Sequence, residues 1–360
     1  MKDTSANRVR LAARALEKLA GRPLKIMEVC GTHTVSIYRS GLRALLPEGF
    51  QLVSGPGCPV CVTSQGSIDT LVRLSGKEEI AIATYGDMVR VPGASLSLAQ
   101  ARAQGAAVHV VLSAAEALSL ARKLQGKTVV FAGVGFETTA PSTAAVVLEA
   151  ERDRQENFLV LNLHKTVPAV LRILASDPEL GLDGFLLPGH VSTILGLEPY
   201  RALAADHGMP CVVAGFEPDQ VMAGLALLAA QRATGRFSVQ SAYPQGVRPG
   251  GNERAKALLS LVFEESGAAW RGLGNLPGSG LTFREPYTRF DARVRLGLED
   301  RETPEPAGCR CGDVLAGRIA PSDCPLFGVT CTPEEPVGPC MVSSEGSCAA
   351  AYRFGRRQVP

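Results

Sequence analysis

From about residue 22 to residue 236, short β-branched runs alternate with helical patterns of about 10 to 15 residues, and this alternation constrains the fold more than any other feature. It is the signature of parallel strands joined by crossover helices. Strands are expected near 24–30 (LKIMEVC), 50–54, 79–84, 107–112, 127–133, 157–163, 184–188 and 210–214. Nearly all of them end in small, polar or reactive residues: Cys30-Gly31-Thr32-His33, Gly55-Pro56-Gly57-Cys58, Tyr85-Gly86-Asp87, Gly135-Phe136-Glu137, Pro188-Gly189-His190 and Gly215-Phe216-Glu217. An open α/β sheet binds its ligands in the crevice outside the carboxyl ends of its strands. Eight strands are many for one small sheet, so the pattern predicts two α/β lobes, residues 1–120 and 121–240, facing across a cleft.

After residue 240 the pattern changes: a short helix is expected around Glu253 to Ser266, followed by the Gly/Pro-rich stretch GLGNLPGSGL and a tail holding six of the ten cysteines. So much chain with so little periodicity needs an organiser other than an apolar core, and a metal site fits. The third part, 241–360, is therefore read as a cysteine-rich iron–sulfur domain with little regular structure.

The net charge of +2 provides no electrostatic footprint for nucleic acid or anionic membrane. The first twenty residues lack the apolar core of a signal peptide, and no run reaches 18 apolar residues, so a cytoplasmic location is expected. In that reducing compartment clustered cysteines serve as metal ligands or redox thiols more often than as structural disulfides.

The tail thiols are Cys309, Cys311, Cys324, Cys331, Cys340 and Cys348, separated by prolines and glycines that let them converge. No histidine lies among them, which favours all-thiolate coordination by zinc or an iron–sulfur cluster. Zinc ribbons use paired C-x2-C knuckles, absent here, so a [4Fe-4S] cluster is expected ahead of zinc or reversible disulfides. Cys324, Cys331, Cys340 and Cys348, with the turns between them, are the expected ligands, and Cys309 and Cys311 the spare pair.

Cys30 precedes a helix start, where unpaired N–H groups, the helix dipole and a neighbouring His33 imidazolium would make it acidic and reactive. Cys58-Pro59-Val60-Cys61 lies at the end of the next strand, ahead of another helix, in the arrangement of thiol–disulfide oxidoreductases. Consecutive parallel strands are usually neighbours, so these three thiols are expected at one crevice, as a redox site or as soft ligands for iron. Cys211, His109 and His207 read as ordinary structural residues. His164, His190, Glu137 and Glu217 sit at strand ends, with capping and cleft-lining roles equally open.

The segments EVCGTHT (28–34), SGPGCPVC (54–61), ATYGDM (83–88), VGFETTAP (134–141), LPGHVS (187–192), GFEP (215–218) and CPLFGVTCTPEEPVGPCMVSSEGSCAA (324–350) resemble the HypD family of hydrogenase maturation proteins in order and over essentially the full length. That resemblance implies a scaffold, not an enzyme, which holds an iron atom with the small chaperone HypC while two cyanides and one carbon monoxide are attached. HypE would donate the cyanide as a thiocyanate, and the Fe(CN)2CO unit would pass on to the [NiFe]-hydrogenase large subunit. By motif, Cys30 is the expected iron ligand, and Cys58 and Cys61 join the iron site or exchange electrons beside it. A cluster-containing thiol–disulfide reductase acting on a protein substrate is the alternative from another class.

Overall fold

A computed structural model describes residues 4–19, 21–299 and 303–355. All eight expected strands form: β1 Leu24–Glu28, β2 Phe50–Ser54, β3 Ile80–Thr84, β4 Val108–Val110, β5 Thr128–Gly133, β6 Phe158–Asn162, β7 Gly184–Pro188 and β8 Cys211–Ala214. A ninth, β9 Val239–Ser241, follows, and then an antiparallel hairpin, β10 Phe263–Trp270 and β11 Gly274–Phe283.

The strands make two parallel sheets, β2-β1-β7-β8-β9 and β4-β3-β5-β6. This overturns the division at residue 120. The chain lays down β1 and β2, leaves to build all of the second sheet, and returns to place β7 against β1, with Ile26 opposite Gly184. Periodicity marks a strand but not its partner, because every crossover here is long enough to reach either sheet. Each sheet thereby acquires a switch point where connections leave in opposite directions, between β1 and β7 in one and between β3 and β5 in the other.

Burial follows sheet position. The central strands β3 (IAIAT), β7 (GFLLP) and β8 (CVVA) are buried at every residue, as strands covered on both faces must be. The edge strand β2 (FQLVS) alternates, with Gln51 facing water. On the outer face of the first sheet the helix Ser5–Leu19 contributes Val9 and Leu16, and the helix Pro218–Thr234 contributes Val221, Met222, Leu225 and Leu228. Each such fully buried aliphatic side chain is worth about 1.5 to 3 kcal/mol. The inner faces of both sheets share one core with the tail, running from Met27 and Phe185 through Ile82 and Val130 to Cys311 and Met341.

The segment after 240 departs from expectation in one respect. Its helix stops at Val262, and the Gly/Pro-rich stretch forms most of β11 and the turn before it. The hairpin is stapled to the second lobe: Thr166 N–H donates to Ser279 O at 2.9 Å and Lys165 Nζ to Ala269 O at 2.7 Å, while within the hairpin Trp270 Nε1 donates to Ser279 Oγ at 2.7 Å. Its glycines sit where close backbone approach and positive φ are required, which turn statistics read as loop. Beyond it, the described part of the cysteine-rich tail consists of short helices and turns. No helix among the described residues is long and apolar enough to cross a membrane.

Candidate functional site

Cys30 closes β1 at the switch point of the first sheet, as the residue preceding the helix Gly31–Ser40. The loop after β2 lies directly on it. Gly55 N–H donates to Glu28 O at 2.7 Å and Gly31 N–H to Gly57 O at 3.0 Å. A side chain at Gly57 would overlap the Cys30 backbone, so only glycine permits this approach. Beneath sits the buried carboxyl of Glu28, which accepts from Cys30 N–H at 3.2 Å and from the Thr34 hydroxyl. Its desolvation raises its pKa to about 7.

Cys30 is buried and not acidic, the second contrary to the sequence expectation. It is 7 % exposed, and burial pushes its thiol up to about 12, outweighing the N–H groups of the helix start. His33 also differs from its expected role. It is fully buried, with Nε2 against Gly215 O at 3.0 Å and Ala214 O at 3.3 Å. Burial lowers its pKa to about 4, so a neutral ring stands there and no imidazolium assists Cys30. His33 ties the helix Gly31–Ser40 to the end of β8, and what it offers Cys30 is a backbone N–H.

Cys58 and Cys61 are joined in a disulfide with Cα atoms 5.2 Å apart, at the start of and within the helix Pro59–Val62. Both are buried, and Cys61 Sγ lies 3.9 Å from Pro339 O in the tail. The next residue is Cys340. Its Sγ is 2.7 Å from that of Cys311, and all six tail thiols line one cavity together with Leu326, Phe327, Gly338 and Met341. Cys311 is held well below the ordinary thiol range because it accepts from Cys309 and then Cys340, while both donors are pushed up. Val337 N–H donates to Cys331 Sγ at 3.3 Å. Among the described residues no three His, Cys, Asp or Glu side chains are arranged to hold a single metal ion.

Glu345 was not singled out in the sequence, yet it closes the site. Its carboxylate accepts from Thr32 Oγ1 at 2.6 Å beside Cys30. Its neighbours Ser343 and Ser344 donate to Asp87 Oδ2, at the end of β3, at 3.0 and 3.2 Å. One tail loop thus bridges both switch points. A lone glutamate between Ser344 and Gly346 carries no periodic signal that would mark it.

The remaining strand-end residues divide. Glu217 starts the helix Pro218–Thr234, with its N–H donating to Gln220 Oε1 at 3.3 Å, and His190 stacks on Phe216 with ring centroids 4.0 Å apart. Glu137 is buried, with Oε1 accepting from Val167 N–H at 2.9 Å and Oε2 unpartnered, and its pKa is raised to about 7 by desolvation. His164 is buried with Nδ1 2.7 Å from Asn162 Oδ1 and Nε2 unpartnered, and desolvation lowers its pKa to about 3. Cys211 lies in the core of β8 as expected.

Fold and site together define a protein of two interlocked parallel sheets with most of its cysteines gathered along the seam that a cysteine-rich tail covers. A family model described as HypD, hydrogenase formation hypA family, matches residues 7–355. Relatives named hydrogenase maturation factor HypD are 44 % identical over 93 % of this chain in Rhodobacter capsulatus, covering 90 % of that protein, and 44 % over 97 % in Azotobacter vinelandii, covering 94 %. The Escherichia coli K12 protein of the same name is 42 % identical over 97 % of this chain and 94 % of its own length. The chain belongs to the HypD family of hydrogenase maturation factors.

Proposed function

We propose that this chain is the scaffold on which the Fe(CN)2CO unit of [NiFe]-hydrogenase is assembled, with iron held at Cys30 and electrons supplied through Cys58–Cys61 from the tail. The observation that carries this reading is the unbroken series of sulfur sites. Cys30 packs on the loop that leads into Cys58, Cys61 abuts Pro339, and Cys340 opens onto the six-thiol cavity. Thiolates are soft ligands suited to low-spin Fe(II), and moving cyanide from a thiocyanate sulfur consumes two electrons, the number one disulfide couple exchanges. The disulfide form of Cys58 and Cys61 favours the electron-carrying role for that pair over iron ligation. Cytoplasmic assembly with a small chaperone such as HypC, and with HypE as cyanide donor, belongs to the same proposal.

The tail cavity fits a [4Fe-4S] cluster in its donor chemistry, since six thiols face one space whose other lining residues are apolar or glycine. A bound cluster would supply single electrons at low potential. Cys324, Cys331, Cys340 and Cys348 are one ligand set. The Cys311–Cys340 contact favours a second, in which these two form a dithiol couple and Cys309, Cys324, Cys331 and Cys348 hold the cluster. Loss of the brown colour in Cys309→Ala with retention in Cys340→Ala supports the second set, and the reverse supports the first.

The test of function is infrared spectroscopy of anaerobically purified protein co-produced with its maturation partners. Cyanide and carbonyl bands are expected, and they should vanish in a Cys30→Ser protein that stays folded. A protein that binds its partners but shows no such bands, while reducing a protein disulfide through Cys58, would establish the reductase instead.

A further inference from the structure

The tail cavity has a backbone donor that the proposed function does not use. Val337 follows the turn at 332–335, which Thr332 closes twice: its N–H donates to Glu335 O at 3.3 Å, and its Oγ1 accepts from Glu335 N–H at 3.2 Å. Pro336, with its fixed φ, leads the chain out of that turn. The N–H of Val337 then donates to Cys331 Sγ at 3.3 Å. At the next residue a Cβ would lie 2.7 Å from Cys309 Sγ, so only glycine, as Gly338, lets the backbone run this close to the sulfurs. Cys331 is pinned on its own loop, its N–H donating to Leu326 O at 2.9 Å and its carbonyl accepting from Gly328 N–H at 3.1 Å. Donor and acceptor are thus held by separate turns, and their contact is a property of the fold.

Cys331 belongs to both ligand sets, so its sulfur would meet iron under either. Reduction of an all-thiolate cluster adds one electron and neither makes nor breaks a bond. The added negative charge is shared with the sulfurs, and hydrogen bonds to those sulfurs are among the factors that set the reduction potential. An N–H dipole aimed at one of them favours the more negative state and so raises that potential. The apolar lining residues Leu326, Phe327 and Met341 leave such a dipole weakly screened.

We propose that Val337 is a positioning residue whose backbone N–H, through Cys331 Sγ, raises the reduction potential of the tail cluster and so eases the entry of each electron from a one-electron carrier. This rests on the cluster reading of the tail. The amide acts and the valine side chain does not, which is why the residue type carries no sign of the role.

The measurement uses full-length protein isolated anaerobically with its cluster, reduced with dithionite in the presence of redox mediators while the electron paramagnetic resonance signal is followed against potential. Val337→Pro removes the N–H and Val337→Ala retains it. At the potential where wild type is half reduced, the ratio of reduced to oxidised cluster should fall about tenfold in the proline variant, about 59 mV for one electron, and stay within about twofold in the alanine variant. Pulsed electron paramagnetic resonance of protein labelled with nitrogen-15 valine gives an arm that does not depend on the folding of the proline variant. A nitrogen-15 coupling to the reduced cluster is expected, and Val337→Ala in the same label should remove it. A wild-type potential in Val337→Pro overturns the proposal, and so does an alanine variant that falls as far as the proline one. A labelled wild type without the coupling, or a coupling that survives Val337→Ala, does the same. Protein with neither colour nor signal would overturn the cluster reading as well, whereas cluster-bearing protein that fails these tests overturns the role of Val337 alone.

Discussion

Burial decides the character of individual residues here more than neighbours in sequence do. Cys30 lies at a helix start that by itself would make it acidic, yet desolvation moves its thiol the other way, and desolvation also leaves the nearby His33 neutral. Glu137 shows the same effect in a form open to measurement. Its native pKa of about 7 lies above the model-peptide value of 4.5, so the folded chain holds a proton there that the unfolded chain has lost. The stability contributed by the neutral carboxyl is complete below pH 4.5 and is lost as pH rises through 7. At about 1.4 kcal/mol per pH unit this reaches about 3 kcal/mol. His33 and His164, with lowered values, act in the opposite sense below pH 6.5. Comparison with Glu137→Gln isolates the carboxyl: denaturant unfolding should show the wild type losing about 2 to 3 kcal/mol more than the variant between pH 5 and pH 8. Parallel pH profiles for the two proteins would show that Glu137 is ionised in the native state.

Among the elements, the β10–β11 hairpin holds the tail to the rest. Trp270 pairs with Thr63 as an isolated bridge and stacks near Phe136 of the second lobe, at a centroid distance of 6.1 Å, while Gly272 presses on Gly312. Gly272→Val introduces a β-branched side chain at φ +72° and into the Gly312 backbone, two independent penalties. The variant should lose about 2 to 4 kcal/mol of stability in denaturant unfolding, and Cys311 should become open to alkylation in the native state. A Cys311 as protected as in wild type would mean that the hairpin tip does not hold this helix. None of this was legible beforehand, because Gly272, Gly274, Pro277 and Gly278 read as loop, whereas the last three belong to a strand defined by its partner β10.

For the whole molecule, the interlocked sheets imply that neither half stands alone. Residues 1–120 contain β1 to β4 but lack β7 and β8 for the first sheet and β5 and β6 for the second. That fragment should show no cooperative thermal transition by circular dichroism, nor should 121–240, and a sigmoidal melt from either would contradict the shared core. The amino-acid sequence by itself determined the strands, the helices between them and the placement of Cys30 and Cys58 at strand ends, because apolar periodicity and turn residues are local properties. It also carried the family, through motifs whose order needs no structure. Only the tertiary structure decided which strands share a sheet, that Cys340 meets Cys311, that Glu345 closes over Cys30 and that the Arg271 guanidinium donates to Thr63 O. Those outcomes depend on contacts between residues up to 313 positions apart, where the burial of one segment is set by another and no local pattern records the pairing.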